Sequence, residues 1–490
     1  MAVNPKKLRP YDEPPRQRGS LIPRTPDSAA TGFLVVSLLW LAAATGIGVL
    51  WAAIQLFPDQ LTLTFEIPMP IGDPLGLEFS PDTVTSGFTN AVVFGWLSNA
   101  GFAAILFIAP RILGTRLADD AMAFLGLAAW NVAVASGLAL VYLPSISATG
   151  LLAEFPLPVD GLMLLGLLAV TGVFFRTLIA SRQRLPYVSI WFFGLALLAL
   201  LGAYTLGAGI GLLNLGDVTD SLVNGFVARA IATYWVLGIA LGTLFYVVPR
   251  ATGNPLYSRA MALLSWLLWA AFAGLSAVGA LVDTSVPYVI TTIGNTGTIL
   301  LVAPIVLAAA NLAMTIQGRW ALALTPGAVG FALTAMAFLV ATALLEGIGA
   351  LRSVQALVRG TEWVTGVWIF GALGSSTFAL FAVLDHAAPR ALRRDWRGSP
   401  LTDLQLWAAF AGVATAGLAL MAGGLAHGSL RTEGAPPEEI AATLMWFWGA
   451  AGAGLGLAAL GGLAAVVNLF LMYTTAHPAE ITASPAAAGH

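Results

Sequence analysis

A chain of 490 residues that is 58% hydrophobic and only 9% charged stands far from the roughly 25% charged residues of a soluble domain and is built for lipid. Its net charge of -2 leaves no basic stripe to neutralise phosphates, which argues against nucleic acid as a partner. The lack of cysteine excludes disulfides, thiolate-held iron–sulfur clusters and a cysteine nucleophile, and the only histidines, His386, His427, His477 and His490, look peripheral.

Residues 1–27 are polar and proline-rich, carry no short apolar core before a cleavage site, and read as a disordered tail. A spanning helix needs about 20 predominantly apolar residues. Twelve such segments are predicted, at 31–57, 86–109, 121–144, 159–181, 188–213, 226–249, 258–282, 288–316, 322–347, 362–385, 404–427 and 441–474. Together they make an all-α membrane domain over 28–477, followed by a C-terminal tail, 478–490. The loop at 58–85 has structure of its own. "LTLTFEI" (61–67) alternates apolar and polar residues before the turn-rich "PMPIGDPLG", which predicts a strand or hairpin that caps helix ends or offers an edge to a partner. "AAGAGLGLAALGGLAA" (450–465) is the densest run of small residues and suits close helix packing in lipid rather than nucleotide binding. Of the 22 Lys and Arg residues, all but Arg229, Arg352, Arg359 and Arg431 fall on one side of the twelve spans, which places both termini in the cytoplasm.

The tenth span opens with "TEWVTGVWIFGALGS" (361–375). Within it "GVWIFGALG" (366–374) resembles the haem–copper oxidase catalytic subunit, subunit I, in its cbb-type branch, where the pattern runs G-H-V-H-S-G-A-L-G. "TEW" (361–363), "LEG" (345–347) and "RSVQ" (352–355) resemble the same branch. "FTNAVVFGWLSNAGF" (88–102) is similar to its second helix, and "LFYVVPRATGNPLYSRAMALLSW" (244–266) to the end of its sixth and start of its seventh. The similarity runs from about 86 to about 395. It implies a subunit I-like twelve-helix bundle in a prokaryotic cytoplasmic membrane and a respiratory setting. It also implies where metal ligands would stand. The low-spin haem positions are Phe88 and Ile369, and the high-spin haem position is Val367. The copper positions are Arg229, Gly279 and Ala280, and the family's active-site tyrosine falls near Ala273.

Haem iron needs an axial His, Met, Cys or Tyr, and copper needs imidazole or sulfur donors. Val, Ile, Phe, Gly and Ala have no lone pair to give, and an arginine stays protonated. The expectation is therefore a cofactor-free chain whose vacated centre is dry and packed by Phe88, Trp235, Trp368, Ile369 and Phe370. Glu346 is expected to pair with Arg352 or to face outer water, and Arg229 to snorkel outward or to meet Glu346. Asp385 and His386 are expected in inner water, and Asn90, Asn99 and Asn131 to link helices. No Walker loop, serine triad, zinc spacing or paired catalytic carboxylates occurs, nor do inverted halves with broken helices. The leading expectation is a non-catalytic scaffold in a respiratory or electron-transfer complex, contacting other membrane subunits or c-type cytochromes. The alternatives are an ion or proton conduit, disfavoured by the Leu, Ala and Val of the inner half, and an active terminal oxidase with unrecognised ligands.

Overall fold

The hydrocarbon core of a bilayer holds no water, so a spanning chain must satisfy its backbone N–H and C=O groups internally. The computed structural model describes residues 27–67, 75–143, 152, 155–181, 183, 185–213, 217–281, 288–392 and 399–475. Among them, twelve helices are long and apolar enough to cross a membrane. These are α1 (Ser28–Leu56), α2 (Pro81–Leu113), α3 (Asp120–Val141), α4 (Leu157–Ala180), α5 (Val188–Gly209), α6 (Val223–Thr252), α7 (Arg259–Val278), α8 (Tyr288–Thr315), α9 (Ala328–Gly349), α10 (Glu362–Leu392), α11 (Pro400–Glu433) and α12 (Pro437–Met472). The two tails expected at 1–27 and 478–490 lie outside the described residues, Asp27 excepted.

The expected helix count is met, with ends shifted by a few residues. Helix α2 starts at Pro81, earlier than its apolar run suggests, because Ser80 caps it. The Ser80 hydroxyl accepts from the Thr83 N–H at 3.4 Å, Thr83 Oγ1 accepts from the Ser80 N–H at 2.9 Å, and Pro81 stands where no N–H is needed. Between α1 and α2, strands β1 (Leu63–Ile67) and β2 (Leu75–Phe79) pair antiparallel, with Thr64 opposite Glu78 and Phe65 opposite Leu77. The hairpin is seated by the Glu78 N–H, which donates to the Tyr142 carbonyl at 2.8 Å, and by Phe79 against the Tyr142 ring at 4.9 Å. It marks the hairpin end of the bundle.

Helices α2, α6 and α10 form the axis: α2 is buried along its entire most apolar stretch and α6 and α10 along 83% of theirs, while no other span exceeds 61%. Each axial helix contains one π-helical turn, at Ala91–Leu97, Ile231–Val236 and Phe370–Ser376. Each also has a proline followed by an arginine near its far end, at Pro110–Arg111, Pro249–Arg250 and Pro389–Arg390. A π turn shifts the hydrogen-bond ladder by one residue and frees carbonyls from their usual partners. Polar side chains take those carbonyls over. Ser98 Oγ donates to Val93 O at 2.7 Å, Asn99 Nδ2 to Gly95 O at 2.7 Å and Thr377 Oγ1 to Ala372 O at 3.1 Å. Indoles on neighbouring helices do the same, Trp130 Nε1 reaching Phe94 O and Trp269 Nε1 reaching Thr233 O, both at 3.0 Å. Asn131 Nδ2 donates to Asn99 Oδ1 at 2.9 Å while its own oxygen accepts from Trp40 Nε1 at 2.7 Å, so three helices are tied together. Asn90 donates within its own helix, to Ser86 O.

At the periphery α11 and α12 approach on glycine. A Cβ on Gly412 would strike the Ala458 backbone, and one on Gly454 the Ala416 backbone, whereas one on Gly456 would meet nothing within 4 Å. Gly454→Val should therefore cost about 1–3 kcal/mol through overpacking, and Gly456→Val should stay within about 0.5 kcal/mol of the parent. Thermal unfolding of the two variants in detergent checks this, and equal midpoints would show that the helix pair does not close on Gly454.

Candidate functional site

Arg229 stands just ahead of the π turn of α6, and Glu346 in the last turns of α9. The guanidinium meets the carboxylate with both arms, Nη1 to Oε1 at 2.8 Å and Nη2 to Oε2 at 2.6 Å. This fork geometry is the strong form of an arginine–carboxylate contact. Nη2 and Nε also donate to Ser276 Oγ on α7 at 3.0 and 3.4 Å. Ser276 Oγ and Thr298 Oγ1 on α8 share a hydrogen bond at 2.9 Å, and Thr298 Oγ1 also lies 3.1 Å from Gly294 O. The ion pair is about three-quarters shielded, with side-chain exposures of 24% and 23%.

Glu346 thus does not pair with Arg352 as the sequence suggested. The helix ends at Gly349, and Arg352 opens a separate short helix, Arg352–Val358. From there its guanidinium lies 4.5 Å above the Tyr288 ring and its Nη2 reaches Thr292 Oγ1 at 3.5 Å. The chain turns between the two residues, so nearness in sequence does not become nearness in space.

A cavity of about 620 Å³ opens beside the Arg229–Glu346 pair. Four of the six positions singled out in the sequence line it: Arg229, Gly279, Ala280 and Val367. The other two do not. Phe88 stacks on Trp51 at 5.0 Å and meets Trp368 edge-on at 5.8 Å, and the space left beside it is about 60 Å³. Ile369 is fully buried. Ala273 is also fully buried and outside the cavity, its carbonyl accepting from Thr233 Oγ1 at 3.4 Å.

The centre is filled around Phe88, as expected, and open around Val367, against expectation. The reason lies in where the large side chains point. Phe370 turns away to pack on Phe338 at 5.0 Å and against Gly417. Trp235 packs on Phe102 at 5.1 Å with its Nε1 donating to Ser98 Oγ at 2.9 Å. Much of what faces the cavity from α6, α7, α9 and α10 is small, Ala232, Ser276, Ala343, Gly371 and Ala372, with Trp363 and Trp368 the large rings of its wall. At roughly 24 cal/mol per Å³, a void of this size would cost on the order of 15 kcal/mol. That equals the whole stability of a typical domain, so the space is one that water or a ligand fills.

Residues 28–456 match the family described as Cytochrome C and Quinol oxidase polypeptide I. The chain belongs to that family. It is 25% identical over 419 residues to the Cbb3-type cytochrome c oxidase subunit CcoN1 of Stutzerimonas stutzeri, covering 81% of this chain and 82% of that one. It is 23% identical over 387 residues to cytochrome c oxidase subunit 1 of Rhodobacter capsulatus, covering 75% and 70%. A heme-copper terminal oxidase dimer solved by cryo-electron microscopy shares the fold, with a TM-score of 0.72 at 15% identity over 90% of this chain and 84% of that one. The protein is an integral membrane protein with the subunit I fold, and the relatives named here are bacterial.

Sequence reasoning missed the cavity and the three π turns. A signal for the axis was present, since Pro110–Arg111, Pro249–Arg250 and Pro389–Arg390 recur at nearly equal spacing. No comparable signal announced the cavity, whose wall is assembled from residues far apart in the chain. The Arg229–Glu346 pair can be weighed by a double-mutant cycle. Arg229→Met and Glu346→Leu should each cost about 1–3 kcal/mol, discounted for partial exposure. The double variant should cost about 1 kcal/mol or more below their sum. Additive losses in thermal or denaturant unfolding would show that the two side chains are not coupled.

Proposed function

We propose that this chain is a subunit I relative without haem or copper, acting as a non-catalytic scaffold in a respiratory or electron-transfer complex. The observation that carries the reading is the chemistry at the positions paired with metal ligands by the family resemblance. Phe88, Ile369 and Val367 replace haem ligands with carbon side chains, and Gly279 and Ala280 leave copper nothing to bind. At the third copper position Arg229 keeps its proton and directs its donors to Glu346 and Ser276, so it repels a cation instead of binding one. These residues do not fit haem iron or copper. Among the described residues no three of His, Cys, Asp and Glu come together in a way that could hold a metal ion.

The arginine distribution supports cytoplasmic termini and puts the hairpin on the outer side. The relatives are by name subunits of cytochrome c oxidases, which supports other membrane subunits, and c-type cytochromes, as the partners of this one. Conduction of ions or protons is the second reading, and it has the cavity and its ion pair in its favour. Against it stand the fully buried aromatic side chains Trp235, Phe102, Phe245 and Phe378 of the axial helices, which disfavour a continuous file of water.

Purification from the native membrane in mild detergent tests the proposal. The chain, once separated from its partners, should show no Soret band, and other membrane subunits should accompany it before that separation. One haem per chain surviving a stringent wash would overturn the reading. Phe88→His combined with Ile369→His should not create a haem centre, because only about 60 Å³ remains beside Phe88. Haem uptake by that double variant at full occupancy would mean that its surroundings are not closed.

A further inference from the structure

We propose that the cavity beside Arg229 binds a neutral lipophile whose polar end donates hydrogen bonds, a long-chain alcohol or a phenol in chemical class. The proposal rests on the haem-free reading only in that no cofactor claims the space. Three features of the wall lead to it.

The first is charge. Arg229 and Glu346 face each other with both arms engaged. At that pair a charged ligand would have to break a bidentate contact to gain a partner, whereas a neutral one leaves it intact; the third charged residue of the wall is Arg359. The second is the apolar share of the wall. Val236, Leu301, Ile305, Leu339 and Val367 line the space. About 620 Å³ would take on the order of 20 waters at ~30 Å³ each. Polar side chains line it as well, Asn295, Gln355 and Arg359 among them, but water against the aliphatic stretch lacks the two to four polar partners that a buried water needs.

The third is the direction of the hydroxyl protons. Of the hydroxyls that line the cavity, three on α6, α9 and α10 donate to their own helices. Thr233 Oγ1 donates to Arg229 O at 2.9 Å, Thr342 Oγ1 to Phe338 O at 2.7 Å and Ser375 Oγ to Gly371 O at 2.5 Å. A hydroxyl has one proton and two lone pairs. With the proton held by its own helix, each of these oxygens has only lone pairs to offer a ligand. Ser376 is committed in the same sense, donating to Val236 O at 3.1 Å. This part of the wall accepts and does not donate. An alcohol or phenol O–H satisfies it, and an ether or ester of the same shape does not.

The test uses the purified full-length chain in phosphatidylcholine vesicles and the quenching of tryptophan by bromine. Trp363 and Trp368 line the cavity. The probes are an undecanol brominated at its chain end, its methyl ether, and the bromoalkane without a polar end. Quenching by the alcohol should saturate and should require Trp363 and Trp368, disappearing in the Trp363→Phe/Trp368→Phe variant. The ether should bind about ten-fold more weakly, the size of one good hydrogen bond. That preference should vanish in Thr233→Val/Thr342→Val/Ser375→Ala. Thr342→Val alone, a near-isosteric change, should narrow it even if the triple variant does not fold. Ala343→Phe, which fills the space from the wall, should abolish saturation. Equal, non-saturating quenching by alcohol, ether and bromoalkane would mean partition into lipid only and would overturn the inference. A Soret band in the same preparation would instead overturn the haem-free reading, so the two failures are distinguishable.

Discussion

A π turn puts a carbonyl one residue out of register with its usual N–H, and in hydrocarbon there is no water to take the place of that partner. Helices α2, α6 and α10 each contain such a turn, and the turn of α10 touches those of both α2 and α6. The surrounding residues are fitted to this need. Ser98, Asn99 and Thr377 satisfy the freed carbonyls from within their own helices, and Trp130 and Trp269 from neighbours. Two further indoles bridge the axial helices directly, Trp96 to Thr377 Oγ1 at 3.0 Å and Trp235 to Ser98 Oγ at 2.9 Å. The buried tryptophans thus act as hydrogen-bond donors as well as bulk, as a buried indole generally must.

The two sides of the axis have opposite fates for a simple steric reason. On the Phe88 side, aromatic rings meet face and edge: Trp51 stacks on Phe88, and Trp368 and Trp448 close from the flanks. On the Val367 side, the rings of Phe370 and Trp235 are drawn outward by partners of their own, and alanine, glycine and serine make up much of the wall beside Trp363 and Trp368. Small residues cannot close a space between helices that are held apart elsewhere. The Arg229–Glu346 pair sits at the edge of that gap, where partial access to the cavity lowers the desolvation cost that a fully buried pair would carry.

The subunit I bundle in this chain is held by helix packing and redirected hydrogen bonds. Aromatic rings fill the centre from the cavity floor toward the Pro-Arg ends of the axial helices, with Phe331, Phe378 and Phe381 within about 6 Å of one another. A bundle of this kind can keep its helix arrangement while the identity of the residues around one pocket changes, because each helix is anchored by contacts outside that pocket.

Much of this protein was decided by its sequence alone. Runs of about twenty apolar residues, interrupted by charged and proline-rich loops, dictate twelve spans because only a helix can hide its backbone in lipid. The fragments at 88–102, 244–266 and 361–375, taken in order, are enough to suggest kinship with subunit I and to show which side chains stand at 88, 229, 279, 280, 367 and 369. The directions those side chains take were set by the tertiary structure. Arg229 and Glu346 are far apart in the chain and meet only because α6 and α9 are neighbours. Arg352 is close to Glu346 in sequence but is carried away by the helix end at Gly349. Whether large residues near one of these positions fill the space beside it depends on the rotamer each ring adopts against its neighbours, which no local pattern encodes. Composition and periodicity fix what a segment is, and only the packing of helices from distant parts of the chain fixes where a cavity remains.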